Sequence, residues 1–473
     1  MPDWKNDSLR RLFHPKSVAV MGASDRPEKL GALAMLALGT YPGTVYPVNP
    51  RISKLGKLDC YPDIKSIGDE VDMVMIALST AQVIPALEDC AAAGVGAAVI
   101  FTAGFKELGS DGAARQARLR EIADGAHIAV IGPNCLGAGN INLGLNATFF
   151  PHPMTLKKGS TAILSQSGGV CGQMLYRAAD VGLGISKFVS VGNRVNIDFD
   201  SLLKYLRDDP ETSVVCMFVE GTERAREMYR ETSLVTERKP VIAFKVGRTP
   251  ASMRAAVSHT GSLAGSAELY SACFKQARAT EVSSVSEMID TAKIFAVSKN
   301  RPTGRRVAVL THTLGTALVA AQALEENGGV VPVPSEGISS QIEQLLQLPV
   351  RFPISNPIDL LATGWSEPRI FADAFRIIIE SNEFDALLAV FSPNYQEEIG
   401  GGLPIADMTD AAKASKKTVV CVLNSPETKP PPGMDRLEEA GIPCFSSPER
   451  AGKALANVIR SIRETPSLTR QKQ

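Results

Sequence analysis

Short Val/Ile/Ala-rich runs alternate with longer helical patterns from one end of this 473-residue chain to the other, and that alternation restricts the fold more than any other feature. A continuous apolar run of five or six residues is the mark of a strand buried on both faces. Helices between such runs supply the crossovers that a parallel sheet requires. Three blocks of βαβ units follow, so the expected architecture is α/β, with three consecutive Rossmann-like or flavodoxin-like parallel-sheet domains. The first block spans about 9–145, with strands expected at 17–21, 44–48, 72–78, 97–101 and 128–131. The second spans about 159–298, with strands at 160–164, 213–219 and 241–245. The linker Ser298-Lys299-Asn300-Arg301-Pro302-Thr303-Gly304 leads to a third block, about 305–463, with strands at 307–311, 386–391 and 418–423.

Charge and cysteine usage narrow the function. Fifty Lys+Arg balance 50 Asp+Glu, so no global field draws in nucleic acid or an anionic membrane, and a small-molecule partner is expected. The eight cysteines are scattered without a CxxC pair and most sit in apolar runs, which reads as reduced core thiols with no metal site. The N-terminus lacks a basic segment leading into an apolar one, and no stretch is long and apolar enough to span a bilayer. The expected location is the cytoplasm.

In the first block the strand at 17–21 runs into Gly22-Ala23-Ser24, a glycine turn ahead of a helix, where unpaired backbone N–H groups suit an anionic ligand. Ser24 and Pro27 stand where a dinucleotide fingerprint wants glycine. The second strand ends in Val48-Asn49-Pro50-Arg51, without a carboxylate for a ribose diol. These departures oppose a nicotinamide oxidoreductase, and the basic residues after Pro50 suit a phosphorylated ribose better.

Only five histidines occur, at 14, 127, 152, 259 and 312. His259 lies in Ser258-His259-Thr260-Gly261-Ser262-Leu263-Ala264-Gly265, a small, polar setting that leaves it open to a bulky partner. Phosphoryl transfer to imidazole needs a neutral ring nitrogen, an acceptor orienting the other nitrogen, and donors around the phosphate. Ser167, Gly168 and Gly169 offer such donors at a strand-to-helix turn. Glu220, at the end of an apolar strand, is the candidate acceptor.

Taken in order, Ser17-Val-Ala-Val-Met-Gly-Ala-Ser24, Pro47-Val-Asn-Pro50, Gly132-Pro-Asn-Cys-Leu-Gly137, Ser165-Gln-Ser-Gly-Gly169, Ser190-Val-Gly-Asn193, Lys239-Pro-Val and Ser258-His-Thr-Gly-Ser-Leu-Ala-Gly265 resemble the ADP-forming acyl-CoA synthetases, relatives of succinyl-CoA synthetase. The resemblance implies an alpha-type subunit whose first domain binds coenzyme A and whose second carries the phosphohistidine. By the same resemblance His259 takes the phosphoryl group, Glu220 holds its ring, 167–169 cradle the phosphate, and Asn134 joins the coenzyme A and active-site wall. The implied reaction interconverts acyl-CoA, ADP and phosphate with carboxylic acid, coenzyme A and ATP. ATP or ADP with Mg would sit on a separate ATP-grasp beta-type subunit. The alternative is a noncatalytic coenzyme A-binding regulatory or scaffold protein of the same fold. One departure is Thr311-His312-Thr313-Leu314-Gly315, where the family usually has a Gly-Gly turn; His312 there could donate to phosphate, reflect an unusual substrate, or be inert.

Overall fold

The computed structural model describes residues 3–150, 155–252, 266–350, 352–392, 402–426 and 430–462, and these fall into two compact units, Met1–Ile289 and Asp290–Gln473.

The first unit holds two of the larger sheets. One is five-stranded and wholly parallel, in the order Thr44–Val48, Ser17–Met21, Met73–Ile76, Ala97–Ile100, Ala129–Ile131. The strands Ser17–Met21, Met73–Ile76 and Ala97–Ile100 are buried throughout, because helices cover both faces, and this is why their sequences do not alternate. Strand order reverses beside Ser17–Met21, the place where open α/β sheets form a ligand crevice at the carboxyl ends of their strands.

The second sheet has seven strands, in the order Thr280–Glu281, Val241–Lys245, Val214–Val219, Lys158–Ser165, Ile185–Ser190, Gly137–Asn140, Leu145–Thr148. Its last two strands are antiparallel additions: Gly137–Asn140 pairs with Ile185–Ser190 and then with Leu145–Thr148. Residues 137–145, which the sequence groups with the first block, therefore hydrogen-bond to the second sheet. Their composition, Gly-Ala-Gly-Asn, carries no strand signal of its own.

At the centre of Ile185–Ser190 stands Lys187, whose side chain is only 1% exposed. Its Nζ lies 2.8 Å from Asp209 Oδ2 and 2.5 Å from Glu211 Oε2, so the buried ammonium is doubly compensated. Thr212 Oγ1 donates to the same Asp209 oxygen at 2.6 Å. Burial alone would raise the Asp209 carboxyl, but the bonds from Lys187 and Thr212 outweigh it and hold the group below its ordinary range.

The second unit is built on a parallel five-stranded sheet in the order Ile358–Asp359, Val307–Thr311, Ala386–Phe391, Thr418–Leu423, Cys444–Phe445. Its apolar core packs Phe371, Phe375, Phe384 and Phe391 from helix and sheet. Among the described residues no helix is long and apolar enough to cross a membrane.

Candidate active site

A cavity of about 640 Å3 opens in the first unit where the second sheet's strands end. The strand Lys158–Ser165 runs through Gln166 and Ser167 into the helix Gly168–Asp180. Ser167 is the helix N-cap: its Oγ accepts from Val170 N–H at 3.3 Å, while Ser165 Oγ donates to Ser167 O at 2.7 Å. Gly168 and Gly169 then occupy the first turn, where backbone N–H groups have no partner within the helix. A side chain at Gly168 would press on Leu136 N at 3.3 Å. At Gly169 only Ser167 Oγ, at 4.0 Å, comes near, so an anion has free approach to that turn.

Glu220 follows the strand Val214–Val219 and faces the same cavity. Gln166 fixes it there, since its Oε1 accepts from both Glu220 N–H and Gly221 N–H at 3.0 Å. From the other side Lys245 Nζ donates to Glu220 O at 2.8 Å and also to Val246 O. Lys245 is fully buried, with Nζ 5.0 Å from the centre of the Tyr270 ring. Burial lowers the pKa of its ammonium, against an opposing pull from Glu220. Tyr270 in turn accepts from Thr222 N–H at 2.9 Å. His259 falls in 253–265, outside the described residues. The elements that flank this segment, Val241–Lys245 and Ala267–Gln276, each place a side chain, Lys245 and Tyr270, on the backbone next to or within two residues of Glu220.

Asn134 enters the cavity from the first block, in a left-handed conformation at φ 57. Its N–H donates to Thr102 O at 3.0 Å and its Nδ2 to Asn193 Oδ1 at 3.4 Å. Asn193 also donates to Glu107 Oε2 at 2.5 Å and Gln116 Oε1 at 3.1 Å. Burial alone would raise Glu107, yet the bonds from Asn193 and from the Gly104 and Phe105 N–H groups hold its pKa below the usual range. Cys135 also lines the cavity, but burial pushes its thiol far up, so it is not poised as a nucleophile.

The structure thus brings Asn134, Ser167, Gly168, Gly169 and Glu220 to one cavity. Gly22, Ala23, Ser24, Val48, Asn49 and Pro50 lie outside its lining and form a group of their own. Gly22, at φ +87, donates to Val48 O at 3.0 Å, and Asn49 Nδ2 donates to Ala23 O at 2.8 Å. A Cβ at Gly31 would come within 1.9 Å of Gly22 O, so the helix Leu30–Ala37 rests directly on this turn. Gln166 and Asn193 fall in motifs the sequence displays but receive no role from it, and Gly31 stands in none of them. The available signal for Gln166 was its place at the carboxyl end of a parallel strand, two residues before a Gly-Gly helix start.

His312 uses one ring nitrogen inside the fold, which leaves Nδ1–H as its donor. Its Nε2 accepts from Ser392 N–H at 3.0 Å, and its ring packs edge-on against Phe391 with centroids 4.5 Å apart. Burial pulls its pKa down to about 4, so the ring is neutral at pH 7. The unfolded chain takes up the proton near pH 6.5 and the folded chain only near pH 4. Stability from this group is therefore whole above pH 6.5 and drains away as pH falls towards 4. The full shift corresponds to at most about 3 kcal/mol. His312→Gln keeps an acceptor for Ser392 but cannot titrate, and is expected to flatten that acid-side loss by about 2 kcal/mol. Trp365 fluorescence during denaturation, in a Trp4→Phe background, reads the difference; parallel pH profiles for the two proteins would refute it.

Comparison with known proteins places the chain. Residues 16–140 match the family model described as a CoA binding domain, and residues 158–295 match that of the succinyl-CoA ligase like flavodoxin domain. The alpha subunit of acetate–CoA ligase (ADP-forming) II from Pyrococcus furiosus is 32% identical over 469 residues, covering 96% of this chain and 97% of that one. ADP-forming acetate–CoA ligase I of Archaeoglobus fulgidus is 36% identical over 451 residues, and the match spans 63% of its length. The solved dinucleotide-forming acetyl-coenzyme A synthetase 1 of Ca. Korarchaeum cryptofilum, in complex with phosphate and ADP, superposes with a TM-score of 0.85 at 32% identity, covering 96% of this chain and 97% of that one. The chain belongs to the ADP-forming acyl-CoA synthetase family, as an alpha-type member related to succinyl-CoA synthetase.

Proposed function

We propose that this chain is the coenzyme A-binding, phosphohistidine-bearing subunit of an ADP-forming acyl-CoA synthetase. The observation that carries the reading is the convergence on one cavity of a helix N-terminus with two glycines in its first turn and a carboxylate, Glu220, pinned by Gln166. A phosphate cradle and an imidazole-orienting acceptor are what phosphoryl transfer through histidine requires.

Phosphate oxygen attacks the thioester carbonyl and expels the coenzyme A thiolate, leaving an acyl phosphate. A neutral nitrogen of His259 then attacks phosphorus and releases the carboxylate. The N–P bond breaks in turn as ADP takes the phosphoryl group to form ATP. Glu220 accepts from the other ring nitrogen and stabilises the cation that develops there. The first-turn N–H groups at 167–169 offset charge on the equatorial oxygens. Asn134 helps wall the site, while Gly22, Ala23, Ser24, Val48, Asn49 and Pro50 hold coenzyme A at the crevice of the first sheet. Mg-nucleotide binds on a separate ATP-grasp beta-type subunit, and the acid is a small carboxylic acid. The proposed domain limits are 9–145, 159–298 and 305–463, with residues 137–148 of the first segment lending their two strands to the sheet of the second, and the proposed location is the cytoplasm.

Incubation with γ-labelled Mg-ATP and an ATP-grasp partner should place an acid-labile, base-stable phosphate on this chain, discharged by ADP. Coenzyme A binding with no such label would favour the noncatalytic scaffold instead.

A further inference from the structure

The cavity that holds the phosphate turn is larger and more apolar than phosphoryl transfer needs. At about 640 Å3 it falls in the range that takes a drug-sized ligand. Acetate has the bulk of only a few waters, at about 30 Å3 each, and would leave most of that space unfilled even beside a phosphate, a thiol and the imidazole that Glu220 orients. The walls away from the polar turn are aromatic. Phe101 meets Phe149 edge-on with centroids 5.3 Å apart, and Phe150 meets Tyr176 in the same manner at 5.4 Å. Edge-on rings of this kind present faces and edges that accept another ring.

Charge narrows the ligand further. Among the described lining residues Arg194 is the one cationic side chain, and it is committed elsewhere: Nη1 donates to Gly221 O at 2.8 Å and Nε lies 3.4 Å from Asp198. A second carboxylate on the acid would enter beside Glu220 with no uncommitted cation among the described lining residues.

Gly172 shows that the space is kept open at a cost. It sits buried within the helix Gly168–Asp180, where glycine is among the poorest helix formers. Yet a Cβ built there meets no atom within 4 Å. Neither packing nor backbone conformation demands glycine; what its missing side chain leaves is room in the cavity.

We propose, resting on the ligase reading above, that the acid is a monocarboxylic acid with an aromatic or comparably bulky apolar body, and that Gly172 sets its size limit. The test uses the chain assembled with its ATP-grasp partner and compares kcat/KM for phenylacetate, acetate and succinate, following thioester and ADP formation. Phenylacetate is expected to exceed acetate by at least about tenfold, with succinate lowest. Gly172→Leu should lower the phenylacetate-to-acetate ratio by a further tenfold or more, with Gly172→Ala between, since one or two methylenes in a pocket are worth about 10- to 200-fold. Should the leucine variant fail to fold, the alanine variant and the native preferences still decide. A working enzyme that prefers acetate or succinate, or a ratio unmoved by substitution at Gly172, overturns this inference alone. Failure of every acid to give thioester overturns the ligase reading, and this inference with it.

Discussion

On the proposed function, His259→Ala is expected to abolish the labelled phosphate on this chain and to lower acid-dependent ADP formation by at least about 1,000-fold, because the proposed covalent carrier is gone. A general loss of structure is an inadequate explanation to accept in advance: the side chain lies in a segment of small polar residues, so coenzyme A binding at the first sheet should persist. The diagnostic pattern is therefore retained coenzyme A affinity with absent phosphorylation. Glu220→Gln should give a milder version. Its backbone N–H stays on Gln166 and its carbonyl on Lys245, so position is conserved while the charge proposed to stabilise the imidazolium is lost. A fall of about 10² in the phosphorylation rate, with a changed pH profile, is the expected outcome. Equal labelling of His259→Ala and the native chain would remove the central claim.

The second large effect concerns stability. Lys187→Met should destabilise the first unit by about 3–5 kcal/mol at pH 7, since it strands the Asp209 carboxylate, 3% exposed, without its cation. In the native chain the Asp209 pKa is held below the unfolded value, so its contribution is present above about pH 4 and lost as pH falls through the folded value. In the variant the sign inverts. The unpaired carboxyl is raised, its penalty grows as pH rises, and the deficit should shrink on going from pH 7 to pH 4.5. Denaturant titrations followed by Trp4 in a Trp365→Phe background measure both quantities. A deficit below about 1 kcal/mol at pH 7, typical of an exposed pair, would mean that the cluster is solvated.

How much of the fold is legible in the sequence depended on where each strand lies. Ser17–Met21, Val241–Lys245, Ala386–Phe391 and Thr418–Leu423 have the limits expected of them, because a strand covered on both faces is written as one apolar run with polar ends. Ile185–Ser190 is just as buried but spells Ile-Ser-Lys-Phe-Val-Ser. Its polar side chains are satisfied inside by Thr212, Asp209 and Glu211, and partners so distant in sequence leave no local trace. Ile358–Asp359 and Cys444–Phe445 are too short to declare a period.

The candidate site divides along similar lines. Asn134, 167–169 and Glu220 lie in recognisable turns, and the structure gathers them at one cavity. Gln166 was illegible because a glutamine after a strand fits many roles; only the folded chain brings its carbonyl oxygen to two N–H groups more than fifty positions away. The aromatic wall was hidden for a related reason. Phe101 and Phe149 each follow a different strand and Tyr176 lies in the helix Gly168–Asp180, and nothing in their spacing announces that they meet.

The antiparallel strand Gly137–Asn140 has a consequence for any shortened form of this protein. It closes the flank of Ile185–Ser190, so a fragment beginning at residue 158 would carry that flank bare, with a row of unused N–H and C=O groups flanking a buried lysine. Such an edge recruits strands from neighbouring molecules. The matched flavodoxin segment 158–295 is thus a unit of similarity rather than a unit that can be cut free, and removal of residues 137–157 would leave a template for self-association.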